Sequence, residues 1–244
     1  MKSSPTPLPA LADMTPTQLL LAGLWVTAAA VLLITLGVRI VRHVDLLQWW
    51  VPVAFVAGMA LADLASSLVH WGADTWGSAD LPFIGARLLV PFRVHHVNPD
   101  DFIRRTFLDT NGDVAALAVP VLFALVLLPL DGRLAVLAVF GLGLCGVGVM
   151  TNQIHQWAHM PVPPAPVRVL QALRILLRPT DHAEHHSGKY DRHYAITTGW
   201  WNRPLEAIEF FRRAEKLIAR STGATPRADE KIFSARSGGM MSRG

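Results

Sequence analysis

The stretch WVPVAFVAGMALADLASSLVHWGAD, residues 50–74, joins a long apolar run to a pair of potential metal ligands. The run is long enough to cross a hydrocarbon core of about 30 Å, which takes about 20 helical residues. It leads to His70 and Asp74, which are four residues apart and therefore share one face of a helix. This stretch predicts a membrane helix that carries metal ligands past the end of its apolar part.

The whole chain has the composition of a membrane protein. Of its 244 residues, 52% are hydrophobic and only 16% are charged, which lies outside the usual range for soluble domains. Four segments are long and apolar enough to be spans, and the first lacks the basic start and cleavage pattern of a signal peptide. The segments are Leu19 to Val41, Trp49 to Val69, Val114 to Leu130, and Leu134 to Met150.

The third and fourth segments are short for spans. Pro120 and Pro129 favour a kinked or tilted helix in the third. Because Asp131 and Gly132 form a tight-turn pair between the two segments, a buried hairpin that does not cross the membrane is an alternative. We expect two spans joined by a short turn.

Four spans place the N-terminus, the loop between the second and third spans, and the C-terminal third on one side of the membrane. Of the 22 Lys and Arg residues, all but Arg39, Arg42 and Arg133 belong to that side. The positive-inside rule identifies the basic side as cytoplasmic. The sequence therefore predicts an all-α integral membrane protein, a four-helix bundle with a cytoplasmic histidine-rich cap.

The two ends of the chain differ in composition from this apolar part. The first 18 residues contain Pro and Ser, and residues 221–244 are rich in Ser, Gly and Arg. Such segments do not bury enough apolar surface to fold. We expect a disordered N-terminus at 1–18, one membrane domain at 19–220, and a mostly disordered tail at 221–244.

Four groups of histidines and one aspartate gather on the predicted cytoplasmic side, mostly at spacings of three or four residues that share a helix face. A single histidine at a membrane boundary is more often a polar anchor, but four groups on one side indicate a shared metal site. We expect the second and fourth helices to continue past the lipid as stalks carrying His70 and His159. The candidate ligands are His70, Asp74, His95, His96, His155, His159, His182, His185 and His186.

The ligand chemistry limits the metal. Cys145, the only cysteine, lies inside the fourth apolar segment, so nitrogen and oxygen must hold the ion. Imidazole with carboxylate suits iron, zinc or copper. A zinc site takes about four ligands, whereas eight histidines with Asp74 are enough for two ions, and two iron ions acting on O2 fit best. His43 lies on the opposite side and His193 stands alone, so neither is a candidate ligand.

Two polar residues are candidates for supporting roles. Asp63 lies seven residues before His70 inside a predicted span, where an ionisable side chain usually faces the protein. We expect it to accept the free N–H of a ligating imidazole and so fix its tautomer, the alternative being a hydrogen bond between helices with no metal role. Asn152 shares a helix face with His155 and could hold a water molecule against one metal ion.

With these motifs in hand, the chain resembles the plasmanylethanolamine desaturase family, also called Kua, a branch of the membrane lipid desaturases. The motifs are HWGADTWG (70–77), PFRVHH (91–96), DTNGD (109–113), TNQIHQWAH (151–159) and ITTGW (196–200), and the resemblance covers roughly residues 63–220. It departs from the family pattern at Val94, where an acidic residue is frequent, and at His193, where an aromatic residue is common. The resemblance implies that residues 19–220 form a lipid desaturase domain with two iron ions, which converts the alkyl ether chain of a phospholipid into the vinyl ether of a plasmalogen.

The implied reaction needs O2 and electrons from another protein. No Gly-rich dinucleotide motif follows a strand, and one cysteine cannot hold an iron–sulfur cluster. A basic face suits an acidic donor such as cytochrome b5 or a ferredoxin. The expected partners are an ether phospholipid, O2, this donor and the membrane, with no nucleic acid, and the composition favours a bacterial inner membrane, or the endoplasmic reticulum for a eukaryotic chain.

Other functions remain open from sequence. The same two-iron site could desaturate an acyl chain or hydroxylate a lipid, because the substrate groove decides which carbon is presented. From another class, a metal-binding membrane protein or transporter without catalysis is possible. A transport path predicts polar residues near the middle of several spans, and the third and fourth spans have almost none.

Overall fold

The computed structural model describes residues 8–227, and every regular element among them is helical. Eleven α-helices and one π-helical turn make up this part of the chain. They are α1 (Pro16–His43), α2 (Trp50–Thr75), the π-helical turn (Gly85–Leu89), α3 (Val90–Val97), α4 (Pro99–Ile103), α5 (Phe107–Leu127), α6 (Gly132–Val149), α7 (Thr151–His159), α8 (Ala165–Ala172), α9 (Pro179–His186), α10 (Asn202–Ala207) and α11 (Phe210–Thr222).

Four of these helices, α1, α2, α5 and α6, are long and apolar enough to cross a membrane. They coincide with the four predicted segments, which confirms the all-α class and the four-helix bundle. α5 passes through Pro120 and ends at Leu127, before Pro129, and α6 starts directly after Asp131. The tight turn between these two helices is therefore where the sequence predicted it.

Local sequence explains where α1 begins. Pro16 occupies the first turn, where no backbone N–H is needed. The Thr15 side chain accepts from the Gln18 N–H while Gln18 reaches back to the Thr15 N–H, which is a capping box. These contacts satisfy backbone donors that a helix start leaves free.

The bundle is held together by close backbone approach as well as by apolar side chains. α2 packs along α6 and α1 packs along α5, with α5 also against α6. A Cβ at Gly58 would overlap the carbonyl oxygen of Phe140, and one at Gly143 would overlap that of Phe55. Small residues at such a crossing let two membrane helices approach closely, which increases their van der Waals contact.

The two predicted helical stalks have different structures. α2 runs without a break to Thr75, past His70 and Asp74, as expected. The fourth stalk is not a continuation of α6, because the helix stops at Val149 and α7 starts again at Thr151. At this point the Met150 N–H donates to the Val147 carbonyl, three residues earlier in the chain. The histidines of α7 therefore lie on a separate helix.

Residues 9–18, within the segment predicted to be disordered, make contacts with the rest of the chain. The buried guanidinium of Arg105 donates to the carbonyl oxygens of Leu11 and Ala12, at 2.7 and 3.3 Å. Asn98 donates to the Pro9 carbonyl at 3.0 Å. A buried cation needs acceptors, and this segment supplies them. These contacts also place the N-terminal segment beside α4, at the histidine-rich end of the bundle; residues 1–7 lie outside the described range.

At the other end of the chain, the described residues stop at 227, and the predicted disorder of 228–244 lies outside them. Residues 221–227 have defined contacts. The Arg227 side chain donates to the carbonyl oxygens of Ala73 and Asp74, both at 3.2 Å, and its backbone N–H donates to that of Thr75 at 2.9 Å. These are carbonyls that the end of α2 leaves without helical partners, so this segment closes the helix that carries the first ligands.

Candidate metal centre

The end of α2 and three short helices bring all nine candidate ligands together at one end of the bundle. α2 supplies two, α3 an adjacent pair, α7 two and α9 three. They form two groups, in each of which the ligand atoms lie within 4.8 Å of one another. The first group is His95, His155, His159, His182 and His186, and the second is His70, Asp74, His96 and His185.

In the first group the Nε2 atoms converge. His182 Nε2 lies 2.8 Å from that of His159, 2.9 Å from that of His155 and 3.0 Å from that of His186. Two nitrogen ligands at right angles, each about 2.1 Å from one ion, lie about 3.0 Å apart. The spacing of these imidazoles is therefore the spacing that a single metal ion produces.

The second group is centred on a carboxylate. Asp74 Oδ2 lies 3.2 Å from His70 Nε2, 3.5 Å from His185 Nε2 and 3.6 Å from His96 Nε2. The Nε2 atoms of His96 and His185 are 3.0 Å apart. Three nitrogens and one carboxylate oxygen thus surround one point, and the ring of His96 is 4.2 Å from that of His95 in the first group, so the two groups are neighbours.

Protein contacts alone do not satisfy these ligands. Buried atoms without a hydrogen-bond partner among the described residues include His70 Nε2, His95 Nε2 and both oxygens of Asp74. Each such atom costs about 1–3 kcal/mol, and more when it is charged. Metal ions between the ligands would give every inward lone pair a partner, so the residues present fit two bound cations.

Burial keeps the histidines in the form that binds metal. Burial first, and then the neighbouring histidines, hold the pKa of His95, His155 and His182 well below its ordinary value. The same causes lower the pKa of His159 to about 3 and that of His185 to about 4. These imidazoles are neutral at pH 7, and a neutral imidazole offers a lone pair to a metal ion.

Backbone carbonyls orient two of the second group's rings. His70 Nδ1 lies 3.0 Å from the carbonyl oxygen of Tyr194, and His185 Nδ1 lies 2.7 Å from that of Arg192. Each Nδ1–H donates outward, which leaves Nε2 without a proton on the inner side. The segment after α9 therefore fixes the tautomer that ligation requires.

Within the described residues, the hydrogen bonds of Asp63 go to a loop and not to an imidazole. All its hydrogen-bond donors among the described residues belong to the loop 197–201, including the Thr197 hydroxyl at 2.7 Å and the Thr198 N–H at 2.8 Å. Seven helical residues separate it from His70 by about 10 Å, too far for a contact with that imidazole. Asp63 holds a loop against α2, and its effect on the metal centre is indirect.

Asn152 joins two helices near the first group. Its side chain donates to the Thr110 carbonyl, and its backbone N–H donates to Asn111 Oδ1 at 3.2 Å. Both partners lie on α5, so Asn152 fixes the start of α7 relative to that helix; the water-holding role stays a prediction. His193 belongs to neither group, and its Nδ1 lies 3.2 Å from the Asp181 carbonyl oxygen.

An apolar cavity of about 760 Å³ leads to the first group, where His95 and His155 form part of its wall. Its walls come from α2, the π-helical turn, α3, α4, α5, α6 and α7, with further residues from segments outside these helices. Phe83, Ile84 and Leu117 line it and are 84%, 54% and 76% exposed. The cavity therefore connects the histidines with the apolar outer surface of the bundle, and its volume suits a lipid-sized ligand.

Comparison with known families agrees with this arrangement. Residues 59–229 match the model of the lipid desaturase domain. The chain belongs to the lipid desaturase family. No solved structure matches this lipid desaturase.

Named relatives cover most of this lipid desaturase. It is 42% identical over 183 residues to the plasmanylethanolamine desaturase of Myxococcus xanthus, covering 75% of this chain and 65% of that relative, just under two thirds. It is 40% identical over 207 residues to plasmanylethanolamine desaturase 1 of Mus musculus, covering 77% and 74%. It is also 31% identical over 210 residues to the chloroplastic fatty acid desaturase 4 of Arabidopsis thaliana, covering 84% and 64%.

Sequence reasoning missed the tyrosines of this desaturase. Tyr190 stacks on His96, with ring centroids 4.4 Å apart and an angle of 12° between the planes. Tyr194 meets His70 edge to face at 5.7 Å. The chain has only two tyrosines, and both follow the last histidine group within eight residues. That clustering was the available signal.

Proposed function

We propose that this lipid desaturase converts the alkyl ether chain of an ethanolamine phospholipid into a vinyl ether, with two iron ions held by the nine ligands. The observation that carries the proposal is the apolar cavity, which ends at His95 and His155 of the first ligand group. A lipid chain in this cavity lies against the metal centre. The names of the Myxococcus and mouse relatives support an ether phospholipid as the substrate.

The iron ions would supply the activation of O2 that removes two hydrogen atoms from adjacent carbons. Conversion of –CH2–CH2– to –CH=CH– with reduction of O2 to two water molecules consumes two further electrons and two protons. The electrons come from an external carrier, and an acidic protein such as cytochrome b5 or a ferredoxin suits the basic chain, whose net charge is +4.

The protein's own side chains position the lipid and limit the access of water. Phe92 and Phe102 line the cavity beside the ligands. Their rings lie 4.7 Å from that of His70 and 4.9 Å from that of His155, respectively. These apolar rings pack against an alkyl chain in the cavity and keep it close to the metal-facing wall, which contains His95 and His155.

We further propose a multi-pass arrangement with the metal centre on the cytoplasmic side of a bacterial inner membrane, or of the endoplasmic reticulum if the chain is eukaryotic. The N-terminal segment, α3, α4 and α7 lie together at one end of the bundle. Most of the Lys and Arg residues belong to segments that the predicted topology assigns to this end, and the positive-inside rule assigns a basic side to the cytoplasm.

Lipid mass spectrometry tests the function. A host without vinyl ethers is supplied with an alkyl ether phospholipid precursor and expresses either this chain or its His155→Ala variant. We expect acid-labile vinyl ether lipids with the unaltered chain and none with the variant, at equal amounts of membrane protein. Production of another unsaturated lipid, with all ether chains still saturated, would refute the ether specificity.

The second candidate is an acyl-lipid desaturase, which the likeness to the Arabidopsis fatty acid desaturase 4 favours. The metal centre and the electron requirement are the same, and the depth at which the chain is held decides the carbon that reacts. A hydroxylase on the same centre would yield a product with one added oxygen. The same mass spectra separate the three products.

A further inference from the structure

An ion pair between Arg87 and Asp113 crosses the outer part of the apolar cavity. Arg87 lies on the π-helical turn and Asp113 on α5, and both line the cavity. Arg87 Nε donates to Asp113 Oδ2 at 2.8 Å, and its Nη2 contacts the other carboxylate oxygen. The side chains are 45% and 53% exposed, so the pair lies where the cavity meets its surroundings.

The other arginine on this wall has a different environment. The Arg105 side chain is 3% exposed and binds Asp101 and Asp109 as well as two carbonyl groups of the N-terminal segment. It is fixed by the fold. Arg87, in contrast, directs all its hydrogen bonds within the described residues to Asp113. An exposed pair of this kind contributes little to stability and exchanges partners readily.

We propose that Arg87 and Asp113 form the head-group site for an ethanolamine phospholipid, in which the guanidinium binds the phosphate and the carboxylate binds the primary ammonium. The proposal rests on the function proposed above and names the residues that select its substrate. When the head group binds, its phosphate takes the place of the Asp113 carboxylate beside Arg87, and its ammonium takes the place of the Arg87 guanidinium beside Asp113. No charge is therefore left without a partner of opposite sign. The planar fork of arginine suits phosphate oxygens.

The position of the pair agrees with the carbon that must react. Arg87 precedes His95 by eight residues along consecutive helical turns, so their Cα atoms are about 12 Å apart or less. A vinyl ether begins at the first carbon beyond the ether oxygen, only a few bonds from the phosphate. A head group held by Arg87 therefore keeps that end of the alkyl chain near the metal-facing wall. The rest of the chain extends along the cavity toward Leu117.

A binding measurement without turnover tests this site. Metal-loaded protein is purified without O2 and incubated with equal amounts of two alkyl ether phospholipids that differ only in head group, ethanolamine or choline. Native mass spectrometry then counts the lipid retained. Choline has no N–H for a carboxylate, so Asp113→Asn should reduce retention of the ethanolamine lipid about tenfold and leave choline lipid nearly unchanged. Arg87→Gln should weaken both lipids about tenfold.

The control is Arg212→Gln, which breaks the ion pair between Arg212 and Glu206 at 2.7 Å, away from the cavity. It should retain both lipids like the unaltered protein. A second variant reverses the pair, Arg87→Asp with Asp113→Arg. The reversed pair restores the salt bridge but presents the wrong charge to both phosphate and ammonium, so we expect no recovery of ethanolamine preference.

Two results would overturn the proposal. One is an Asp113→Asn protein that keeps the original head-group preference. The other is a reversed pair that recovers this preference, because the pair would then have a structural role only. Metal content and thermal stability, measured on each variant, identify a misfolded protein, and the reversed pair then decides between the two roles. Failure of the proposed function is a different result. In that case the unaltered protein selects the ethanolamine lipid yet forms no vinyl ether when O2 and electrons are supplied.

Discussion

Replacement of Asp63 by Ala should disable the metal centre without touching a ligand. The buried carboxylate accepts five hydrogen bonds from the loop 197–201, at 2.7 to 3.2 Å. That loop continues from Tyr194, whose carbonyl oxygen orients His70. Loss of Asp63 frees the loop from α2 and with it the carbonyl that fixes the His70 tautomer.

The size of the destabilisation follows from the N–H and hydroxyl groups of the loop 197–201 that lose their acceptor. Hydrogen bonds to a charged group contribute about 1.5–3 kcal/mol each, but bonds that share one carboxylate are not additive. Loss of one partner from a buried charged network typically costs about 3–5 kcal/mol. For a chain of this length that corresponds to a fall in Tm on the order of 10 °C. Asp63→Asn keeps one acceptor oxygen and should lose about half as much.

The assays are thermal unfolding in detergent and metal content by mass spectrometry, on membrane-extracted protein. We expect Asp63→Ala to unfold earlier and to retain substantially less iron than the unaltered chain. Asp45→Asn is the matched control, because Asp45 lies in the exposed turn at the other end of the bundle and, among residues 8–227, its side chain accepts hydrogen bonds only from Leu47 and Gln48. If Asp63→Ala keeps both the unaltered Tm and the full iron content, the loop does not position the ligands.

Three further outcomes are expected. His155→Ala should abolish product and lower bound iron, whereas His193→Ala should retain at least half of both. Lipid analysis and a metal assay of the two proteins measure these losses. Equal losses in the two variants would remove His155 from the ligand set. Gly58→Ala should destabilise the protein by about 1–3 kcal/mol because its Cβ overlaps the α6 backbone. The control Gly72→Ala has open space around the added carbon and should leave Tm unchanged or raised. Equal Tm values for the two variants would contradict the close crossing of α2 and α6. Removal of metal with a chelator should lower Tm and readdition should restore it, since a ligand of the folded state stabilises that state; a Tm that is the same with and without metal would speak against the two ligand groups.

Local patterns were sufficient to predict the four long helices and the residues that form the two candidate ligand groups. The four long apolar helices are encoded by apolar runs, and the start of α1 at Pro16 is encoded by its own capping residues. The pairing of His70 with Asp74 follows from helical periodicity alone. These features depend on neighbours within a few residues, so one sequence is enough to show them.

Tertiary contacts account for what the sequence did not reveal. The partner of Asp63 lies 134 residues further along the chain, in a loop whose N–H groups have no side-chain signature. The N-terminal segment is held by contacts with Arg105, and the composition of that segment does not reveal this distant partner. The cavity is lined by seven helical elements, and its volume depends on how closely they approach.

The adjacent histidine pairs explain why this cap forms two ligand groups rather than one. Neighbouring residues on a helix differ in direction by about 100°, so they cannot readily serve one ion. His95 and His96 accordingly belong to different groups, and so do His185 and His186. Residues four apart behave in the opposite way, since His155 and His159 share a group, as do His182 and His186. An adjacent pair flanked by candidate ligands at helical spacing is therefore a sequence signature of two neighbouring ligand groups.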